Sequence, residues 1–112
     1  NLTNLTWLGF SMNELTGYIP PEIGNLSNLE VLILGDNELT GEIPPEIGNL
    51  TNLTHLNLWN NQLTGEIPES ICDLNVNWSH SVNFRIYNNQ LCPPYPSCLE
   101  NYVGEQDTTN CD

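Results

Sequence analysis

Residues 25–48 read NLSNLEVLILGDNELTGEIPPEIG, and nearly the same phrase stands on either side of them. Residues 1–24 are NLTNLTWLGFSMNELTGYIPPEIG, and residues 49–72 are NLTNLTHLNLWNNQLTGEIPESIC. Self-similarity at a fixed period of 24 residues marks a chain that stacks one structural unit on the next. Leu2, Leu26, Leu50 and Leu74 form one column, Leu5, Leu29 and Leu53 a second, and Leu8, Leu32 and Leu56 a third. Asn13, Asn37 and Asn61 form a fourth.

Each unit has a physical reading. In the LxxLxL half, alternate leucines point inward from a short strand and the residues between them point out. Stacked copies then make one parallel sheet, with strands expected near 6–10, 30–34, 54–58 and 83–87. The asparagine that follows sits where the chain turns. Its amide can serve backbone groups that the turn leaves unpaired, so stacked copies should form a ladder through the body. The LTGxIPPEIG half carries glycine for an unusual backbone angle and proline to stop a strand. Ile19, Ile43 and Ile67, with Ile23, Ile47 and Ile71, return to the core, and this half is expected to form the convex wall.

A fourth unit, DLNVNWSHSVNFRIYNNQLCPPYPSCLE, keeps the pattern when four residues are inserted near Trp78 to Ser81. Phe84, Ile86, Asn89 and Leu91 then align with Leu56, Leu58, Asn61 and Leu63. A longer, atypical last coil is how a capping repeat behaves, because its outer face has no neighbour. The organisation expected is three 24-residue repeats over 1–73 and an atypical fourth repeat with a disulfide-stapled cap over 74–112.

From Leu2 to Asp73 these units resemble the plant-specific-type leucine-rich repeat, whose motif is LxxLxxLxLxxNxLTGxIPxxIGN. The resemblance implies an α/β-type solenoid: a right-handed curved coil with a concave parallel β-sheet and an irregular or 3-10 convex side. Such repeats occur in extracellular recognition domains such as receptor-kinase ectodomains and polygalacturonase-inhibiting proteins, and in secreted or surface proteins of bacteria.

Charge narrows the partners. The 112 residues hold 14 acids and one Lys or Arg, a net charge of -13. Nucleic acids and anionic membranes are held by clustered Lys and Arg, which Arg85 alone cannot supply. No run of about 18 apolar residues suggests membrane insertion. The stacked acids Glu22 over Glu46, Glu14 over Glu38 and Glu42 over Glu66 suit loose counter-ion binding, but no D-x-D-x-D-G loop marks a dedicated metal site. No cofactor is expected.

Register alone assigns the concave columns. Trp7, Val31, His55 and Asn83 form one; Gly9, Ile33, Asn57 and Arg85 the next; Ser11, Gly35, Trp59 and Tyr87 the third. Trp59 and Tyr87 fall on adjacent rungs about 4.8 Å apart. Exposed aromatic residues beside an arginine have the composition of binding hot spots, so Trp59, Tyr87 and Arg85 are the candidate contacts, with Trp7, Ile33, His55 and Asn57 around them. Exposed aromatics also simply favour strands, which is the plainer explanation. No Ser, Cys or carboxylate is placed beside His55 as a triad would need, which argues against catalysis. His80, in the insertion, reads as a loop residue.

Cysteines at 72, 92, 98 and 111 are clustered without a C-x-x-C pair, which reads as two disulfides in an oxidising compartment, extracellular or at the cell surface. Cys98 stacks over Ser70, two residues from Cys72, within disulfide reach. Cys92 is then left for Cys111, and Cys92 with Cys98 is the alternative that plant caps suggest. Asn-x-Ser/Thr triplets at Asn1, Asn4, Asn25, Asn49, Asn52 and Asn77 are possible glycosylation sites. All but Asn77 follow from the repeat consensus itself.

Two functions compete. One is a recognition module whose concave face binds a protein, peptide or glycan. The other is a structural protein whose coils self-associate end to end through an open N-terminal edge into a fibre or surface layer.

Overall fold

The computed structural model describes residues 4–111. The Asn1 triplet and the Leu2 column position lie outside the described residues. The chain winds through four coils, each contributing two short strands, into an elongated body of 41 × 29 × 23 Å. Strands β1 (Trp7–Gly9), β3 (Val31–Ile33), β5 (His55–Asn57) and β7 (Phe84–Arg85) form one parallel sheet in that order. These strands are two or three residues long, shorter than the five-residue stretches expected. The LxxLxL pattern alternates in and out over a longer span than the backbone pairs.

Motif-equivalent residues pair in this sheet. Leu8 lies against Leu32, Leu32 against Leu56 and Leu56 against Phe84. Leu32, Leu56 and Phe84 are buried, and the residues flanking them face outward. Burying Leu32, Leu56 and Phe84 contributes about 2 kcal/mol per side chain, and Leu8 in the first coil is only partly buried. The pairing of Leu56 with Phe84 also confirms the insertion, since it holds only if the fourth coil carries the extra residues.

A second parallel sheet, not expected from the sequence, runs beside the concave one. Strands β2 (Thr16–Tyr18), β4 (Glu38–Gly41), β6 (Gln62–Gly65) and β8 (Gln90–Leu91) pair in that order. The LTG segment is therefore a strand, and the 3-10 turns that come after it form the expected convex side. Its register is sheared: Tyr18 pairs with Thr40 and Gly41 with Leu63. From β2 to β4 and from β4 to β6 each paired residue meets a neighbour 22 positions on, two short of the repeat, and from β6 to β8 one 26 positions on, two short of the longer last coil. Gly17, Gly41 and Gly65 have φ of 87°, 79° and 75°. This left-handed conformation, which glycine adopts freely, turns the strand toward the Ile-Pro that follows. Beyond the prolines, 3-10 turns at Pro21–Asn25, Pro45–Asn49 and Glu69–Asp73 stack on one another and bury Ile23, Ile47 and Ile71.

The asparagine ladder runs through the body. Oδ1 of Asn37 accepts from the Leu15 N–H, that of Asn61 from Leu39, and that of Asn89 from Leu63. Each amide also donates backwards: Asn61 Nδ2 to the Leu34 and Leu58 carbonyls, Asn89 Nδ2 to those of Leu58 and Ile86. Every buried rung thus satisfies backbone groups of two coils. Gln106 ends the ladder. Its Oε1 accepts from the Leu91 N–H at 3.1 Å, and its Nε2 donates to the Ile86 and Val103 carbonyls at 2.9 Å. A glutamine from a non-repeating tail so completes the bonding that a fifth asparagine would have given.

The tail covers the last coil. Leu99 and Val103 join the core, and the Tyr95 hydroxyl donates to the Leu91 carbonyl at 3.0 Å, with burial pushing its phenol up from the usual range. Disulfides join Cys72 to Cys98 and Cys92 to Cys111, with Cα separations of 5.8 and 5.7 Å. The first ties the third 3-10 turn to the tail. The second ties the end of the last strand to the C-terminus.

Candidate functional site

The concave sheet presents its outward columns side by side. Val31 pairs with Trp7 on one side and His55 on the other, and Asn57 lies between Ile33 and Arg85. Beyond the strand ends the Trp59 and Tyr87 rings stack, with centroids 5.7 Å apart and planes 27° from parallel. An offset stack of this kind adds about 1 kcal/mol to the area it buries.

Glycine makes that platform possible. A Cβ on Gly35 would stand 2.3 Å from Cδ1 and Nε1 of Trp59, so the indole lies over the bare backbone of the preceding coil. Trp7 rests over Gly9 in the same manner, with 2.3 Å to its Cη2. The Trp59 ring is thereby held flat between Gly35 and Tyr87. A ring already fixed loses little conformational entropy on binding, which is what a contact residue needs.

Polar groups surround the platform. Asn57 Oδ1 is buried without a hydrogen-bond partner among the described residues, and it too lies close to Gly35, 2.8 Å from the Cβ position. An unsatisfied buried acceptor costs about 1–3 kcal/mol. Nδ1 of His55 is 2.9 Å from the Thr54 hydroxyl. Arg85 donates from Nε to the Ser81 carbonyl at 2.7 Å and forms no ion pair among the described residues.

The structure extends this surface with residues that the sequence did not mark. Trp78, Ser79, Ser81, Asn101, Tyr102 and Gly104 line a cavity of about 240 Å³ together with Phe84, Arg85 and Tyr87. Trp78 meets Phe84 edge to face at 4.9 Å. Gly104, at φ 68°, brings the tail so close that a Cβ there would stand 2.5 Å from Tyr87 Cβ. The insertion containing Trp78 is visible in the sequence, but its docking on Phe84 is not. Trp7 belongs to the other end of the sheet, three strands or about 14 Å from the Tyr87 end.

The remaining marked residues lie elsewhere. Glu42 and Glu66 line a cavity of about 450 Å³ beside Cys92 and Cys111, on the second sheet. No group of three or more His, Cys, Asp or Glu side chains converges among the described residues. Asn4, Asn25, Asn49, Asn52 and Asn77 are exposed. Asn52 Nδ2 donates to the Ser27 carbonyl, whereas Asn77 Oδ1 accepts from the Ser79 hydroxyl of its own triplet. No helix among the described residues is long and apolar enough to cross a membrane.

Two family models match the chain: "Leucine Rich Repeat" over residues 4–26 and "Leucine Rich repeats (2 copies)" over residues 27–75. Solenoid, ladder and family match together define the class: the chain belongs to the leucine-rich-repeat family. Its structure is similar to several plant proteins. The Arabidopsis receptor kinase HAESA, solved with the peptide hormone IDA and the co-receptor SERK1, is 36% identical with a TM-score of 0.78. That match covers 93% of this chain and 17% of HAESA's. The BIR2 ectodomain from Arabidopsis thaliana is 29% identical over 91% of this chain and 55% of its own, with a TM-score of 0.79. A plant ice-binding protein is 37% identical over 80% of this chain and 28% of its own, with a TM-score of 0.68. The chain spans between 13% and 57% of the length of these and similar structures. No curated protein sequence matches it.

Proposed function

We propose that this chain is part of an extracellular recognition module that binds a protein or peptide through its concave face. The observation that carries the reading is the Trp59–Tyr87 stack, an aromatic platform fixed over Gly35. Around it Arg85, Asn57 and His55 supply a cation, an amide and an imidazole within one surface. Rigid aromatic area ringed by polar groups is how protein-binding surfaces concentrate affinity. The likeness to ectodomains solved with a peptide hormone and a co-receptor supports a peptide or protein over a glycan. The two disulfides agree with an extracellular setting.

The test is selection of binders from a displayed random peptide library on the folded, oxidised protein. Binders should lose at least about tenfold in affinity for Trp59→Ala or Tyr87→Ala, which corresponds to more than about 1.4 kcal/mol. Binders indifferent to both substitutions would move the site away from the concave face. The competing end-to-end assembly predicts instead a sedimentation profile that grows with concentration.

A further inference from the structure

We infer that Cys92–Cys111 is a site of thiol–disulfide exchange: a dithiol reductant opens it, leaves Cys72–Cys98 closed, and frees the stretch of tail that walls the cavity beside the second sheet. The inference stands apart from the recognition reading above.

The two disulfides differ in what surrounds their sulfurs. Cys72 and Cys98 pack against the hydrophobic core, Cys72 one residue after the fully buried Ile71 and Cys98 one residue before the fully buried Leu99. Cys92 and Cys111 instead line the cavity of about 450 Å³, together with Thr64, Gln90 and Asn110. Exchange requires a thiolate to reach a disulfide sulfur, so access alone favours the second bridge.

They differ more in what holds each pair once the bond is broken. Cys98 lies between the buried Pro96 and Leu99; the Leu99 N–H donates to the Pro96 carbonyl at 3.1 Å, and the Leu99 carbonyl accepts from the Tyr102 N–H at 2.8 Å. Cys72 is part of the 3-10 turn Glu69–Asp73. Both thiols therefore stay in place after reduction and close again. Cys92 is anchored too, its N–H donating to the Gly65 carbonyl at 2.8 Å. Cys111 has no such hold. Among the described residues, the last backbone bond from the tail to the body runs from the Asp107 N–H to the Asn89 carbonyl at 2.9 Å. From there to Cys111 the chain bonds only to itself: the Thr109 N–H and hydroxyl to the Asp107 carboxylate, and the Cys111 N–H to the Thr108 carbonyl. A thiol on such a tether meets its partner at a concentration on the order of millimolar, far below that of two thiols held in place. The ratio of those effective concentrations sets the ratio of the two reduction equilibria.

The exchange balances with one reductant. One thiol of the dithiol loses its proton to solvent and attacks Sγ of Cys111. The S–S bond breaks, and its electron pair leaves on Sγ of Cys92, which takes a proton from solvent. The second thiol gives up its proton and attacks the mixed disulfide, releasing Cys111, which is protonated in turn. The protein gains two electrons and two protons, and the reductant ends as a cyclic disulfide. Opening removes Asn110 and Cys111 from the cavity wall. Gln106 keeps its bonds to Leu91, Ile86 and Val103, so the ladder and the concave face remain.

The test places the folded, oxidised protein in buffers of fixed reduced-to-oxidised dithiothreitol ratio, quenches with N-ethylmaleimide, and reads intact mass and peptide maps. Cys92 and Cys111 should be alkylated together at a ratio at least about tenfold lower than Cys72 and Cys98. In that two-electron form, NMR hydrogen exchange should find the Leu63 and Leu91 N–H groups still protected, and the near-ultraviolet signal of Trp59 and Tyr87 should be unchanged. Leu99→Ala, which loosens the chain beside Cys98, should narrow the gap by bringing Cys72–Cys98 to a lower ratio. Reduction of all four cysteines at one ratio, or of Cys72 and Cys98 first, would overturn the inference. Loss of Leu91 protection in the two-electron form would do the same, because the bridge would then hold the whole last coil. A gap unmoved in folded Leu99→Ala would refute the anchoring on which the difference rests, and the comparison within the unsubstituted protein decides the matter if that variant does not fold.

Discussion

Replacing Asn61 with alanine removes the central rung of the ladder, and the hydrogen bonds set its cost. Three carbonyls lose a donor, but each keeps another. Leu34 retains Asn37 Nδ2 at 2.9 Å, Leu58 retains Asn89 Nδ2 at 3.0 Å, and Trp59 retains the Asp36 N–H at 2.8 Å. The group left alone is the Leu39 N–H, whose listener at 3.0 Å was Asn61 Oδ1. Orphaning one buried donor costs about 1–3 kcal/mol, and the weakened carbonyls and the void add to it, so about 3 kcal/mol is expected in all. Domain stabilities run to about 5–15 kcal/mol, which makes this a large fraction. Asn52→Ala is the control: it removes an exposed bond of the same 3.0 Å length, to the Ser27 carbonyl, and should cost less than about 1 kcal/mol. Gln106→Ala, which orphans the Leu91 N–H at the end of the ladder, should fall between the two. Urea unfolding followed by tryptophan fluorescence and circular dichroism measures all three. A fall in the m-value for Asn61→Ala would mean that the coils on either side of the break unfold separately. A loss for Asn61→Ala no greater than for Asn52→Ala would refute the account of the ladder.

Other perturbations reach different parts of the molecule. Gly35→Ala places a methyl 2.3 Å from the Trp59 ring, so the indole should swing off Tyr87, seen as loss of the near-ultraviolet exciton signal with little change in far-ultraviolet circular dichroism. Replacing Cys72 and Cys98 together by alanine opens a link of sequence separation 26 and should lower stability by about 3 kcal/mol, measured by urea unfolding and compared with Asn61→Ala. The Asp107 carboxyl is held below the usual carboxylate range by hydrogen bonds from the Thr109 hydroxyl and then from its N–H. Because the folded value is the lower one, this turn is fully held above the unfolded carboxylate range and loosens as pH falls through the depressed value. Thr109→Ala should return the titration of Asp107, followed by its side-chain ¹³C shift, toward the usual range.

Legibility in the sequence differed by element. The columns Leu8–Leu32–Leu56–Phe84 and Gly9–Ile33–Asn57–Arg85 follow from the repeat, and the four inserted residues near Trp78 follow from the break in it. The LTG strand was harder, because its glycine and the nearby proline read as interruptions. Only the pairing of Tyr18 with Thr40, two positions out of motif register, shows that glycine bends this strand without ending it. Gln106 gave no signal at all. Nothing in the local sequence of the tail marks a glutamine as the partner of Leu91, fifteen residues earlier.

The sequence by itself determined the stack of coils, the alignment of the concave columns and the places of the asparagines. Each 24-residue unit repeats the same local preferences, so neighbouring coils take the same path and equivalent residues must meet. The tertiary structure decided the sheared second sheet, the seating of Trp59 over Gly35, the closure of the ladder by Gln106 and the cavity around Arg85. These depend on how side chains of one coil settle on the backbone of the next, or on how a non-repeating tail folds back, and no local pattern encodes such contacts. The unpaired state of Arg85 belongs to the same class: composition shows one cation among many acids, and only the folded chain shows that those acids point elsewhere.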